Sequence, residues 1–166
     1  MNSVDSDSAY DVLRAIRRIV RRIADHSKVL AREFGLTVPQ VICLKAIGEL
    51  GASEPEVTAA MVAQHVQLSA ATVTRILDRL QGLGLVDRDR RSRDRRKVCL
   101  SLTDAGRERF RSMPIPLQDE FVARFMDLEE SDRRALLEAL NRITQLMEAE
   151  HIDAAPLLVS ENEVKD

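Results

Sequence analysis

Residues 69–103 read SAATVTRILDRLQGLGLVDRDRRSRDRRKVCLSLT, and this run resolves into a short amphipathic helix, a Gly-Leu-Gly exit and a hairpin with an arginine-loaded tip. Val73, Ile76, Leu77, Leu80 and Leu83 recur at the three- and four-residue spacing of a buried stripe, while Ala71, Thr74, Arg75, Asp78 and Arg79 fall on or beside the opposite face. One face can stay in the protein while the other meets a partner. Ser69 has N-cap chemistry, since its hydroxyl can accept from the free amides of the first turn, and Ala70 and Ala71 keep that end slim enough to approach a groove. After Gly82 and Gly84, Leu85 and Val86 begin a strand; Val98, Leu100 and Leu102, alternating with Lys97, Cys99 and Ser101, form the returning one. Between Asp87 and Lys97 seven basic residues stand against three acidic ones, a net charge of plus four. Arginine dominates, which suits forked hydrogen bonding to phosphates and insertion into a narrow, electronegative groove. A solvated charged hairpin would explain the loop taken alone, but a helix with an exposed polar face precedes it directly and favours nucleic-acid contact.

The formal net charge of the 166 residues is −2, which conceals this patch. Residues 1–68 balance to zero, residues 69–111 carry plus six and residues 112–166 carry minus eight. Basic charge concentrated on the proposed reading module, beside an acidic C-terminal segment, is the electrostatic footprint of a nucleic-acid binder whose C-terminal part faces away from DNA. The length suits one core, and the absence of Trp, with one Tyr and four Phe, points to aliphatic helix packing. No stretch is apolar for the length that spans a bilayer, and the opening MNSVDSDSAYD is polar and acidic, so a cytoplasmic protein with no membrane partner is expected.

Cys43 and Cys99 have no metal-ligand spacing, and His26, His65 and His151 are scattered, so no metal is expected. Cys43 falls beside buried helical positions and reads as core. Cys99, on the polar face of a strand, leaves a redox role open. Gly-rich phosphate loops, nucleophile elbows and His-Glu metal motifs are absent from the sequence, so neither a cofactor nor an enzymatic activity is expected.

In chain order, residues 1–8 are expected to be disordered. From Ala9 to Phe34, Val12, Leu13, Ile16, Ile19, Val20, Ile23, Leu30 and Phe34 keep helical spacing, with Arg14, Arg17, Arg18, Arg21 and Arg22 on other faces. Thr37-Val38-Pro39-Gln40 opens a second helix with both capping-box positions; Val41, Leu44, Ile47 and Leu50 are its stripe, Gly51 ends it, and a loop runs to Val57. Thr58 caps a short helix with Met61, Val62 and Val66, and the break Gln67-Leu68-Ser69 leads into the helix of residues 70–82. Two short helices separated by so few residues are helix-turn-helix geometry, in which the second enters the major groove. Thr103 caps a helix carrying Phe110, which Met113-Pro114-Ile115-Pro116 interrupts. Phe121, Val122, Phe125 and Met126 continue an apolar face to Leu128; Ser131 caps a last helix with Leu136, Leu137, Leu140, Ile143 and Met147 buried.

The TVTRILDRL core, the exit Gly84-Leu85-Val86, the Asp94-Arg95-Arg96 signature and the closing Leu102-Thr103-Asp104-Ala105-Gly106 together resemble the MarR family of winged helix-turn-helix regulators, over about residues 13–147. The resemblance implies a mainly α fold with a small β-hairpin wing: a winged helix-turn-helix DNA-binding domain over 37–103, a helical dimerisation region from 9–34 and 104–150, and a tail over 151–166. It implies a homodimeric transcriptional regulator, a repressor, binding an inverted-repeat operator in double-stranded DNA. Ser69, Thr72, Thr74 and Arg75 lie in the first two turns of the recognition helix, within reach of base edges. Arg75 suits guanine, whose O6 and N7 its fork can bond together, and Arg79 suits phosphate. The resemblance places Arg96 in the minor groove with Asp94 orienting it, leaving Arg93, Arg95 and Lys97 for the backbone. It also implies a small-molecule effector at the junction of the first helix, the Thr37–Leu50 helix and the start of the helix after Thr103. His26-Ser27-Lys28 and Phe34-Gly35-Leu36-Thr37, with the apolar tail Ala154–Leu158, are similar to regulators of compatible-solute operons such as those for ectoine, which would make osmotic or ionic conditions the signal. The alternatives are a winged-helix interaction protein without specific DNA reading and a redox-sensing regulator using Cys99.

Overall fold

The computed structural model describes residues 3–89 and 98–152. Along them run α1 (Ser3–Phe34), α2 (Val38–Ser53), α3 (Ala59–Val66), α4 (Ala70–Gly82), β1 (Val86–Asp89), β2 (Cys99–Leu102), α5 (Asp104–Ser112), α6 (Leu117–Met126) and α7 (Glu130–Leu146). This is the expected mainly α fold with a small hairpin. Its centre is α2, which packs against α3, α4, β2 and α5. The helix starts where Gln40 Oε1 accepts from the Thr37 N–H at 2.9 Å, with Pro39 in the first turn. Val38, Pro39, Gln40, Val41, Cys43, Leu44, Ala46 and Ile47 are all buried, so α2 is covered on several sides where the sequence suggested a single stripe. Burial pushes the Cys43 thiol up to about 12, which leaves it a core side chain and not a nucleophile.

Several local expectations are corrected. The N-terminal helix begins at Ser3, not after a disordered residue 8, and at about 1.5 Å per residue its 32 residues span about 48 Å. Helix α2 continues through Gly51 to Ser53, because Glu54 N–H still reaches Leu50 O at 2.7 Å. The segment after it is not a plain loop: Val57 bridges antiparallel to Leu100, whose N–H donates to Val57 O at 2.8 Å. Leu85 lies before the strand that begins at Val86, and Leu83, expected in the buried stripe of α4, is 53% exposed at the helix C-cap. The last helix starts at Glu130 behind an N-cap at Glu129, not at Ser131.

The hairpin pairs Val86 with Leu102, Asp87 with Ser101, Arg88 with Leu100 and Asp89 with Cys99. Leu100 and Leu102 face the core, as the alternation requires. The turn from α4 into β1 fits tightly against α5. Gly84 takes a φ of +69°, letting the Leu85 N–H return to Leu80 O at 3.0 Å. Thr103 Oγ1 donates to Gly84 O at 2.7 Å and accepts from Gly106 N–H at 2.9 Å, so the cap of α5 also fastens the turn. Gly106 lies so close to this turn that a Cβ there would stand 2.0 Å from Leu85 O.

The proline break is where the sequence puts it: α5 stops at Ser112 and α6 starts at Leu117. Beyond it, the expectation of burial fails for a single chain, since neither α6 nor α7 contains a buried residue. Phe121 and Phe125 stack at 5.6 Å, but Phe121, Val122, Met126, Leu136, Leu137, Leu140 and Met147 stay exposed. On α1 the C-terminal part docks through Leu30, and Arg109 of α5 donates to Phe34 O at 3.1 Å; Val12, Leu13, Ile19 and Val20 remain in solvent.

Candidate nucleic-acid interface

Helix α3 and helix α4 are set by their caps. Thr58 Oγ1 accepts from the Met61 N–H at 3.3 Å to start α3, and Gln67, in the left-handed region at φ 57°, lets the Leu68 N–H close on Ala63 O at 3.1 Å. Ser69 Oγ then accepts from the Thr72 N–H at 3.1 Å and starts α4. Val73, Leu77 and Leu80, all fully buried, hold α4 to the core, and the 100° turn per residue sends its other face outward.

That outward face gathers the residues expected in the first turns. Ser69, Thr74, Arg75 and Arg79 are exposed and Thr72 is half-buried. The Ser69 and Thr72 hydroxyls lie 2.9 Å apart and share a hydrogen bond, and Thr74 Oγ1 donates back to Ala70 O at 2.8 Å. Each hydroxyl keeps a donor or an acceptor position for a partner. The remaining predicted contacts, Arg93, Asp94, Arg95, Arg96 and Lys97, lie outside the described residues, as do residues 153–166 of the tail.

One contact that the sequence reading missed joins helix to wing. Arg88 on β1 donates to Asp78 Oδ1 on α4 at 2.6 Å and to Thr74 O at 3.3 Å. Its side chain is 26% exposed against 55% for Asp78, so the Arg88 end of the pair sits partly out of water, and the pair holds the base of the hairpin against α4. Both charges are visible in the sequence, but only the turn that folds β1 back on α4 brings residues ten apart into reach. Asp78→Asn should keep the fold and release this clamp, weakening DNA affinity by about 1 kcal/mol with little change in base preference. A titration against duplex variants checks this, and unchanged affinity would show that helix and wing are aligned by packing alone.

Cys99 is half-buried and lines an open groove of about 460 Å³ with Glu54, Glu56, Asp89 and Arg107. Arg107 is already committed to Asp104 and to Leu102 O, each at 2.5 Å. Among the described residues no group of three His, Cys, Asp or Glu side chains is placed to hold a metal ion, and no helix is long and apolar enough to cross a membrane.

Residues 34–97, which include α2, α3, α4 and β1, match the MarR family. The chain is similar to the HTH-type transcriptional regulator YsmB of Bacillus subtilis (strain 168), 27% identical over 122 residues that cover 74% of this chain and 80% of that one. It is also similar to an HTH-type transcriptional regulator of Mycobacterium leprae (strain TN), 25% identical over 147 residues, 87% of this chain and 97% of the other. Among solved structures, the transcriptional regulator BldR from Sulfolobus solfataricus superposes with a TM-score of 0.52 at 26% identity, covering 87% of this chain and 99% of its own. The S. aureus MepR–DNA complex shares the fold, with a TM-score of 0.54 at 19% identity over 82% of this chain and 94% of its own. The helix-turn-helix, the hairpin and these relatives agree with one another: residues 34–97 match the MarR family, and the chain is similar in sequence and fold to HTH-type transcriptional regulators.

Proposed function

We propose that the protein works as a homodimeric repressor that reads an inverted-repeat operator, with α4 in the major groove and the arginine-rich wing tip in the minor groove. The observation that carries this reading is the outward face of α4, where Arg75 and Arg79 stand exposed beside Ser69, Thr72 and Thr74 at the helix start. In this reading residues 37–103 are the DNA-binding domain, Arg75 takes a guanine, and Arg79, Arg93, Arg95 and Lys97 take phosphates. Arg96, oriented by Asp94, enters the minor groove. The exposed apolar faces of α1, α6 and α7 support a second copy of the chain as their cover, which makes residues 9–34 and 104–150 the dimerisation region. Release follows a change in the separation of the two reading heads, driven by a small molecule at the junction of α1, α2 and the start of α5, or by osmotic or ionic conditions.

Selection of bound sites from random duplex DNA, followed by titration of the winner across a salt series, tests the reading. An enriched inverted repeat whose affinity falls steeply with salt supports it. Salt-sensitive binding with no enriched sequence would leave a non-specific basic wing and favour the interaction-protein alternative. On the selected operator, Arg75→Ala should cost about 1 to 3 kcal/mol and flatten the preference at one position in each half-site. A uniform loss across all sequences would move Arg75 to the phosphates.

A further inference from the structure

Helix α6 begins with a problem of its own making. Pro114 and Pro116 separate it from α5, so its first amides have no preceding turn to bond, and Pro116 at the N-cap has no side-chain acceptor to offer. The acceptor comes from another helix: Nε2 of His26, on α1, accepts from the Leu117 N–H at 3.4 Å. His26 is only 9% exposed, and Pro116 beside it is fully buried. Two residues on, Asp119 pairs with Lys45 of α2, which also reaches Glu49 at 3.5 Å, and Glu49 in turn meets His65 of α3 at 3.5 Å. The first turn of α6 is therefore gripped by α1 on one side and by the winged-helix core on the other.

We propose that this turn is an acid-sensitive joint, in which the neutral imidazole of His26 caps α6 and so sets the angle between the α6–α7 arm and the DNA-reading head. His26 is a positioning residue: it touches no DNA, but in the dimer the arm fixes how far apart the two α4 helices stand. An Nε2 that accepts has its lone pair free, so the proton of the neutral ring is on Nδ1. Protonation at Nε2 removes the acceptor and turns an N–H toward the Leu117 N–H, at the positive end of the α6 dipole.

The charged groups around His26 decide the sign. Burial and then Arg22, one turn earlier on α1, hold the imidazole below its ordinary 6.5, and Glu120 on α6 pulls the other way without overcoming them. A depressed pKa in the docked state means that the cap contributes its full stability above pH 6.5 and loses it as the pH falls through the docked value. Lys45 does not share this sensitivity. Burial works against its charge, but the hydrogen bond and charge of Asp119, with Glu49, outweigh it and hold the ammonium above its usual value.

The joint rests on the dimeric DNA-binding reading for its consequence but not for its existence, and the test separates the two. In the full chain, amide exchange of residues 117–126, corrected for the intrinsic rate, and affinity for the selected operator are followed from about pH 7.5 to about pH 5. The wild type should lose α6 protection while α2 and α4 keep theirs, and operator affinity should fall between pH 6.5 and the docked value, by up to about tenfold per pH unit for each His26 protonated, and then level off. His26→Gln, whose amide oxygen can accept from Leu117 without titrating, should make both profiles flat. Acid loss unchanged in His26→Gln, or α2 opening together with α6, overturns the joint. Should His26→Gln not fold, Asp119→Asn serves instead: a weaker grip on the α2 side should raise the acid midpoint toward 6.5, and an unmoved midpoint overturns the proposal. A variant pair that separates in exchange while no operator is bound at any pH upholds the joint and removes the DNA reading.

Discussion

Gly106→Ala is expected to destabilise the fold by about 3 kcal/mol, the upper end of what overpacking costs. The added methyl would stand 2.0 Å from Leu85 O, 3.0 Å from Leu85 C and 3.4 Å from Leu102 Cβ, so backbone has to move. That backbone is not free to yield. Leu85 donates to Leu80 O at 3.0 Å and accepts from Thr103 N–H at 3.1 Å, and Gly84 just before it holds a left-handed φ. Displacing the turn would also loosen Thr103, which caps α5 and bonds Gly84 O. The sign is diagnostic, because in a helix without steric conflict alanine is favoured over glycine by about 1 kcal/mol. Gly51, exposed within α2 and with nothing within 4 Å of a Cβ, is the matched control, and Gly51→Ala should stabilise by up to about that amount. Urea midpoints at constant slope give both values. If Gly106→Ala stabilises as Gly51→Ala does, the packing of α5 on the α4–β1 turn is wrong.

Gly106 also shows which features of this fold are legible along the chain. In the sequence it is one letter of Leu102-Thr103-Asp104-Ala105-Gly106, and nothing local says that a backbone carbonyl twenty-one residues earlier excludes its side chain. Local chemistry, by contrast, is readable. Ser69, Thr58 and Thr103 cap helices where a hydroxyl followed by apolar spacing predicts it, and Pro114 and Pro116 break the chain where proline must. The misplaced boundaries are those where local signals are weak. Gly51 does not end α2, because an exposed glycine costs a helix only about 1 kcal/mol and the packed residues before it hold the helix together. The start of α1 at Ser3 lies in a stretch that the sequence reading took only as a polar, disordered terminus.

The candidate interface divides in the same way. The outward position of Thr74, Arg75 and Arg79 follows from the period of α4 alone. The Asp78–Arg88 clamp and the Val57–Leu100 bridge do not, since the first depends on how the turn folds β1 onto α4 and the second on the path of the α2–α3 segment. His26 is the extreme case. Read along α1 it is one polar residue near an apolar face, and its partner, the Leu117 amide, is a backbone group with no sequence signature and 91 residues away.

The apolar residues of α6 and α7, expected in a dimerisation region, stay exposed on a single chain, and they motivate the remaining prediction: Leu140→Asp should abolish dimerisation and lower operator affinity by about a hundredfold to ten-thousandfold. Leu140 lies in the middle of α7 and is 52% exposed, so a carboxylate there keeps much of its water in an isolated chain. Covered by a second copy, the same carboxylate would be desolvated without a partner, a cost of several kcal/mol that an interface of marginal stability cannot absorb. Losing the dimer uncouples the two reading heads. Each half-site is then bound at its own affinity, without the effective concentration that linkage supplies, which is where the range of about 10²- to 10⁴-fold arises. Light scattering and operator titration read the two effects separately, and Glu138→Gln, two residues away on the opposite side of the helix, controls for substitution in α7 as such. A dimeric Leu140→Asp protein with undiminished affinity would place the subunit contact elsewhere, leaving Val12, Leu13, Ile19 and Val20 of α1 as the surface to test. A monomer that still binds the full operator tightly would instead show that reading depends on one head, and the inverted repeat would lose its physical basis.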